Sequence, residues 1–210
     1  LSSKGPVFCA GHNLKDLSSK RSDPDKGRSY FDKIFKSCSN LMINIIKNPK
    51  TIIASVNGIA TAAGCQLVAS CDLAYASTTA KFATPGVNIG LFCSTPMVAL
   101  SRNVNKKSSM EMLLTGDLIE ASKAKEIGLI NDVFSSEKLV EKVFEVAEKI
   151  SSKSMETLKI GKEAFYKQKE MTIEEAYNYT SSVMIENMLK KDSEEGISAF
   201  IEKRKPVWEE

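Results

Sequence analysis

One short segment of the chain combines small residues with a polar side chain at the expected start of a helix. A β-branched run over residues 51–56 predicts a buried strand, and a helix is expected over Ala63–Ser70. The first amides of a helix have no partner within it and lie at the positive end of its dipole, so they can bind an oxygen anion. The sequence therefore suits the polarisation of a carbonyl by the segment Ala62-Ala63-Gly64-Cys65-Gln66. Alternatively, these small residues only let the helix pack closely on a sheet.

An acid or base beside this predicted anion site is not obvious. Gln66 shares a helical face with Ala63, but an amide exchanges no proton at neutral pH. His12 is the single histidine, and its imidazole could titrate near neutrality, so a side-chain role for it is one alternative. Cys93 or Ser94 is a conceivable nucleophile, although neither has a base beside it in the sequence.

The composition limits the classes of function. The chain has 210 residues, of which 42% are hydrophobic, enough for one sizeable core and a small additional lobe. A net charge of +3 is too weak to predict a nucleic-acid surface, and no apolar run approaches the roughly 18 to 20 residues that cross a bilayer. An odd number of cysteines without a C-x-x-C pair predicts buried thiols in a reducing compartment. These cysteines are Cys9, Cys38, Cys65, Cys71 and Cys93.

The predicted elements are those of an α/β protein. Apolar residues at three- and four-residue spacing predict a helix over Arg28–Lys47. The order of the strand at 51–56, the helix Ala63–Ser70 and a strand at 73–76 predicts parallel pairing through a right-handed crossover. The remaining expectations are a strand at 7–10, loops at 18–27 and 80–86, helices at 96–103 and 108–115, a strand at 129–134, and three helical stretches beyond residue 135.

Several motifs, in this order along the chain, resemble the enoyl-CoA hydratase/isomerase (crotonase) superfamily. They begin with Phe8-Cys9-Ala10-Gly11-His12-Asn13-Leu14-Lys15 and continue through residues 56–58, 64–67, 71–74, 82–85, 112–116, 128–130 and 195–200. The resemblance implies a ClpP/crotonase-like α/β fold, in which a spiral of ββα turns is followed by a C-terminal helical lobe. It assigns residues 1–135 to the spiral and 136–210 to the lobe, which would mediate trimer and CoA contacts. It also implies that the first strands and helix of the family precede Leu1, so the chain is expected to be N-terminally incomplete.

The resemblance assigns four positions to the reaction site. The two oxyanion-hole amides fall on the backbone of His12 and Ala63. Gln66 and Gly86 fall where hydratases of the family carry the glutamates that activate water and protonate the α-carbon. Efficient hydration is therefore not expected. The resemblance implies no metal and no cofactor other than the CoA thioester itself as substrate or ligand.

For CoA binding, the resemblance points to Lys15 and, near the C-terminus, to Phe200 and Lys203, which would reach the CoA of a neighbouring subunit. Lysine suits a phosphate as a flexible point charge, and the run at 203–205 is basic throughout. Ordinary solvated lysines at a helix end remain the alternative. Trp208 is expected to cover either the helical lobe or a subunit interface.

The predicted function is that of a fatty acyl-CoA-binding protein of mitochondrial fatty-acid metabolism. By resemblance it is made as a precursor with a transit peptide and assembles as a homotrimer or a dimer of trimers. Two hypotheses remain at this point: an altered crotonase that performs other enolate chemistry, or a non-catalytic acyl-CoA sensor or assembly subunit.

Overall fold

The computed structural model describes residues 1–209, and the chain forms two compact units. The first unit comprises Leu1–Ile46 and Ile52–Phe144, and the second comprises Lys47–Thr51 and the chain from Glu145 onward. Among the residues described, no helix is both long and apolar enough to cross a membrane.

The strands lie in the first unit and form two sheets. One sheet has the order β1-β3-β5-β6, in which β1, β3 and β5 are parallel and β6 is antiparallel to β5. The other has the order β2-β4-β7 and is parallel throughout. The strands are β1 (Val7–Cys9), β2 (Ile53–Val56), β3 (Ile59–Thr61), β4 (Leu73–Ser77), β5 (Lys81–Ala83), β6 (Ile119–Glu120) and β7 (Asp132–Phe134).

Helices make up most of the remaining described residues. They are α1 (Leu14–Ser19), α2 (Arg28–Lys47), α3 (Ala63–Ser70), α4 (Pro96–Asn103), α5 (Lys106–Thr115), α6 (Ala121–Glu126), α7 (Ser136–Ser151), α8 (Met155–Gln168), α9 (Ile173–Met188) and α10 (Lys191–Ile201). Two short 3₁₀ turns span Lys20–Ser22 and Pro85–Ile89.

The strand-helix-strand prediction is confirmed, because β2 and β4 pair in parallel on either side of α3. The helices α2, α3 and α4 also begin and end where they are predicted. Two predicted loops are wrong. Residues 18–27 contain the end of α1 and a 3₁₀ turn, and residues 80–86 contain β5. The strand β5 has only three residues beside a proline, but its Phe82 is fully buried and pairs with Ala60 of β3.

The core of the first unit lies around α3 and the strands. Its fully buried large side chains include Phe82, Leu100, Val56 and Val68. The five cysteines are all free thiols, of which Cys65, Cys71 and Cys93 are buried. The prediction of buried thiols is therefore confirmed for these three, whereas Cys9 and Cys38 are half-buried.

The second unit is helical, and its last residues pack back on it. The indole N–H of Trp208 donates to the Ser152 carbonyl at 2.8 Å, and a Cβ on Gly196 would lie 3.2 Å from the indole ring. Trp208 thus covers the helical unit, which is the first of the two positions expected for it. Thr172 and Glu175 form a reciprocal capping box at the start of α9.

The start of α10 is built differently. Lys190 holds the N-cap position without a side-chain cap hydrogen bond. Asp192 is buried, and its carboxylate accepts from the Glu209 amide at 2.9 Å. Glu195 binds the guanidinium of Arg204.

Candidate oxyanion site

The carboxyl ends of three neighbouring strands meet at one edge of the larger sheet. Because β1, β3 and β5 are parallel, the residues that follow them lie side by side at that edge. These are Ala10, Ala62 and Thr84, and Gly11 comes directly after Ala10. Ligands of α/β proteins bind outside the carboxyl ends of parallel strands, so this edge is where a site is expected.

The entry into α3 leaves its first amide free. Ala62 has a φ of 51° and a ψ of −119°, which costs an alanine on the order of 1–3 kcal/mol and is typical of functional sites. Its N–H donates to the Ala83 carbonyl at 3.0 Å, and its carbonyl accepts from the Gln66 amide at 3.0 Å. The amide of Ala63 has no acceptor among residues 1–209. Ala63 therefore presents a free donor at the helix N-terminus.

Gly11 brings a second loop against this helix start. It has a φ of +90°, and a Cβ on it would lie 3.1 Å from the Ala62 Cβ and 3.2 Å from the Ala63 nitrogen. His12 follows directly, and within the described chain its own N–H also lacks an acceptor. The structure thus places two free backbone donors on adjoining segments, as an oxyanion hole requires.

Gly64 fixes β1 against α3. A Cβ at this position would lie 1.9 Å from the carbonyl oxygen of Cys9, so no other residue fits without moving the strand. This contact sets the distance between the loop that carries His12 and the helix that carries Ala63. The small residues of the segment therefore serve close packing as well as the exposure of amides.

The imidazole of His12 is held in place but unsatisfied. Its ring lies 5.3 Å from that of Phe35 in an edge-to-face arrangement, and its Nε2 is buried without a hydrogen-bond partner in the described chain. Burial lowers the pKa of His12 below its usual value, which favours the neutral ring. The hydroxyl of Thr84, which is 0% exposed, likewise has no partner there. These two atoms are the buried polar side-chain atoms of residues 1–209 without a partner.

Gln66 is buried beneath α2. It is 4% exposed, and its Oε1 lies 3.9 Å from the Sγ of Cys38, which can donate a weak hydrogen bond to it. Burial is also the main reason that the pKa of the Cys38 thiol is raised, with a smaller contribution from Cys9. Gln66 is therefore a neutral amide beside a protonated thiol.

Gly86 lies in a closed turn. A Cβ on it would lie 2.8 Å from the Leu91 carbonyl oxygen and 2.9 Å from the Cys93 Sγ. Its own N–H donates to that sulfur at 3.3 Å, and its carbonyl accepts from the Leu91 amide at 2.9 Å. Burial raises the pKa of Cys93 and the Gly86 amide only partly offsets this, so the thiol is protonated at neutral pH and a poor nucleophile. Ser94 is exposed beside it.

The residues predicted to bind CoA are exposed. Lys15 lies on α1 in the first unit. Phe200, 85% exposed, lies on α10 in the second unit, where Lys203 follows with a φ of +57°. Arg204 of the basic run binds Glu195 through paired contacts of 2.6 and 2.8 Å and also binds Glu202. The charge of Arg204 is therefore matched by carboxylates.

The first unit brings His12, Ala63 and Gln66 together around α3, and Gly86 follows the strand that binds the Ala62 amide. The sequence reasoning missed the contacts of Phe35 and Cys38. Their spacing of three residues on the predicted helix α2 is a signal that they share a face. Within residues 1–209 no group of three His, Cys, Asp or Glu side chains could hold a metal ion.

Comparison with known proteins identifies the family. The model of the enoyl-CoA hydratase/isomerase family matches residues 1–210. The chain is 50% identical to the mitochondrial enoyl-CoA hydratase domain-containing protein 3 of Rattus norvegicus, over 99% of this chain and 68% of that protein.

Two crystal structures are also similar. That of human enoyl Coenzyme A hydratase domain-containing protein 3 superimposes with a TM-score of 0.93 at 49% identity, covering 99% of this chain and 80% of that one. An enoyl-CoA hydratase of Mycobacterium smegmatis gives a TM-score of 0.92 at 47% identity, covering 98% and 78%. With its crotonase fold and its match along the whole sequence, the chain belongs to the enoyl-CoA hydratase/isomerase family.

Proposed function

We propose that the protein binds a fatty acyl-CoA thioester whose carbonyl oxygen accepts hydrogen bonds from the amides of His12 and Ala63. The observation that carries this proposal is the approach of Gly11 to Ala62 and Ala63, which sets two free amides on adjoining segments. A thioester carbonyl gains negative charge as an enolate forms, and fixed donors stabilise that charge. Loss of one such donor typically costs about 2.7–4 kcal/mol of transition-state stabilisation.

The reaction is not efficient hydration. Gln66 and Gly86 stand at the positions that the family's hydratases fill with glutamates, and neither can transfer a proton. Each proton-transfer group typically contributes a factor of about 10² to 10⁴ in rate. The protein performs other enolate chemistry on the bound thioester, such as isomerisation or thioester cleavage.

The CoA moiety is bound by Lys15, while Phe200 and Lys203 reach the CoA of a neighbouring subunit. Exposure of all three supports a role in contacts outside their own unit. The protein assembles as a homotrimer or a dimer of trimers. Support comes from the apolar side chains that α9 and α10 leave exposed, namely Ile173, Tyr177, Met184, Ile185, Phe200 and Ile201.

The protein acts in mitochondrial fatty-acid metabolism, after import as a precursor with a transit peptide. The mitochondrial names of its relatives from rat, mouse and human support this compartment. Fatty-acid metabolism follows from the acyl-CoA ligand that the site is proposed to bind.

A second candidate function is that of an acyl-CoA sensor or an assembly subunit without catalysis. The closed turn at Gly86 favours it, because the space for an acid there is filled by Leu91 and Cys93. The two functions share the binding step and differ in whether the bound thioester is changed.

The test of the binding site is the variant Ala63→Pro. Proline removes one oxyanion donor but suits the first position of a helix. Lys106→Pro makes the same change at the first position of α5 and is the matched control. Calorimetric titration with butyryl-CoA should show binding at least about tenfold weaker in Ala63→Pro, which corresponds to about 1.4 kcal/mol, and unchanged binding in the control. Equal affinity in the two variants would remove Ala63 from the site.

A further inference from the structure

The structure contains a titratable side chain, the imidazole of His12, that the proposed oxyanion site does not use. The Nε2 atom of His12 is buried and has no hydrogen-bond partner within residues 1–209. A buried imidazole nitrogen normally has a partner, because leaving it unpaired costs free energy.

Contacts with α2 place this imidazole beside Gln66. The His12 ring contacts Phe35 at 5.3 Å, and the Gln66 side chain contacts Cys38 at 3.9 Å. Phe35 and Cys38 are three residues apart on one helix, so their side chains are neighbours on one face. The imidazole and the Gln66 side chain, which stands where the proposed function loses a carboxylate, therefore contact neighbouring residues of α2.

The inference rests on the proposed function, in which the backbone N–H of His12 donates to the thioester oxygen. A carbonyl oxygen held by the His12 amide puts the α-carbon, two bonds away, within the span of one side chain. The edge-to-face contact with Phe35 fixes the ring, which limits how far Nε2 can move from that position.

We propose that the His12 imidazole is the catalytic base that removes a proton from the α-carbon of the bound acyl thioester. The Nε2 lone pair takes the proton, and the electrons of the C–H bond form the enolate double bond. The carbonyl electron pair moves to the oxygen, where the amides of His12 and Ala63 stabilise it. Return of a proton from the imidazolium to the α-carbon restores the thioester. The ring is neutral before this step because burial lowers the pKa of His12.

The test is hydrogen exchange at the α-carbon of butyryl-CoA in deuterium oxide, followed by mass spectrometry of the full chain's reaction mixture. The saturated thioester excludes hydration and isomerisation from the readout. The wild type should incorporate deuterium, and His12→Ala, which keeps its backbone amide, should exchange at least about 100-fold more slowly. Added imidazole should restore exchange in His12→Ala, because a free base can occupy the space left by the side chain.

Two further variants control for structure. Tyr30→Ala removes an edge-to-face aromatic contact outside the site, with Phe31, and should exchange like the wild type. His12→Gln keeps a polar side chain that cannot accept a proton; it should exchange as slowly as His12→Ala and serves as the test if His12→Ala does not fold.

The outcomes separate this inference from the proposed function. Wild-type protein that binds butyryl-CoA in calorimetry without exchanging its α-hydrogen would overturn the role of His12 and leave the binding function in place. Exchange at the wild-type rate in His12→Gln would do the same. Failure of the wild type to bind butyryl-CoA would overturn the proposed function itself.

Discussion

The two sides of the candidate site differ in whether their polar backbone groups are free or already bonded within the protein. On the amide side, Gly11 and Gly64 let three segments approach closely, and the amides of His12 and Ala63 remain without acceptors in the described chain. On the side proposed to have lost the acids of hydration, Gly86 is enclosed and its polar groups are satisfied by Leu91 and Cys93. The amide side therefore has hydrogen-bond donors free for a ligand, whereas the Gly86 side is filled by other residues of the protein.

Glycine therefore has two different structural roles in this site. Gly11 and Gly64 are required for the approach of backbone to backbone, and this approach sets the donors in place. A side chain at Gly86 would instead meet Leu91 and Cys93, so the turn leaves no room for one. We therefore expect binding and proton transfer to be separable properties of the proposed site, and variants at these glycines can measure each.

The largest effect is expected for Gly64→Ala, because the new Cβ would meet the Cys9 carbonyl oxygen at 1.9 Å. Gly161→Ala is the matched control, since it also lies in a helix but has nothing within 4 Å. Urea unfolding should show a loss of about 3 kcal/mol or more for Gly64→Ala. The control should gain up to about 1 kcal/mol, the helix preference of alanine over glycine. Similar stability in both variants would show that β1 and α3 do not need their close contact.

Gly86→Ala is expected to be the next most damaging substitution, at about 1–3 kcal/mol, because two atoms lie within 2.9 Å of the new Cβ. The double variant Gly86→Ala/Cys93→Ala removes the sulfur and should recover part of that loss. Stability is again measured by urea unfolding. An undiminished stability of the single variant would mean that the turn opens easily.

The same crowding predicts that a carboxylate cannot be restored simply. Gly86→Glu combined with Gln66→Glu should fail to hydrate crotonyl-CoA at an ordinary hydratase rate, as followed by the enoyl absorbance. Gln66→Glu alone is the control, since it keeps the turn at Gly86 unchanged. Rapid hydration by the double variant would contradict the view that the acid side is closed.

Gly11→Ala should have a smaller effect on stability and a clear effect on binding. Gly5 and Gly11 have nearly equal φ values, +92° and +90°, but only Gly11 has close neighbours. Both alanine variants bear backbone strain on the order of 1–3 kcal/mol. Only Gly11→Ala displaces the loop from Ala63, so its affinity for butyryl-CoA should fall about tenfold or more, while Gly5→Ala binds normally. Equal affinities in calorimetry would separate this loop from the binding site.

The smallest expected effect is a pH dependence from His12. Because burial lowers its pKa in the folded state, the unfolded chain binds more protons just below the usual pKa of histidine. The free energy of unfolding should therefore fall as the pH falls through that usual value towards the folded one. His12→Gln removes the chain's single histidine and should remove this slope, measured by urea unfolding at a series of pH values. An identical slope in the variant would show that His12 is not desolvated.

The sequence predicts the long, strongly patterned elements well. The apolar periodicity of α2 and the β-branched run before α3 are local signals, and both elements form where they are expected. The strands β3 and β5 have only three residues each, too few for a periodic signal, and pairing with neighbours distant in sequence creates them.

Like the fold, the candidate site can be predicted from the sequence only in part. The helix start at Ala63 follows from its small residues, and the pairing with His12 follows from the family resemblance. Closure at Gly86 depends on a thiol seven residues further along the chain, and the burial of the His12 ring depends on α2. Such contacts are set by tertiary packing, and no local pattern in the sequence indicates them.

The central claim is that the protein retains the binding half of the family's site without the acids of hydration. Its most direct test is a titration of the full chain with crotonyl-CoA, in which calorimetry measures binding while the enoyl absorbance is recorded on the same samples. We expect saturable binding with an enoyl absorbance that stays constant on the timescale of an ordinary hydratase reaction. Loss of the absorbance at an ordinary hydratase rate, or an absence of binding, would contradict it.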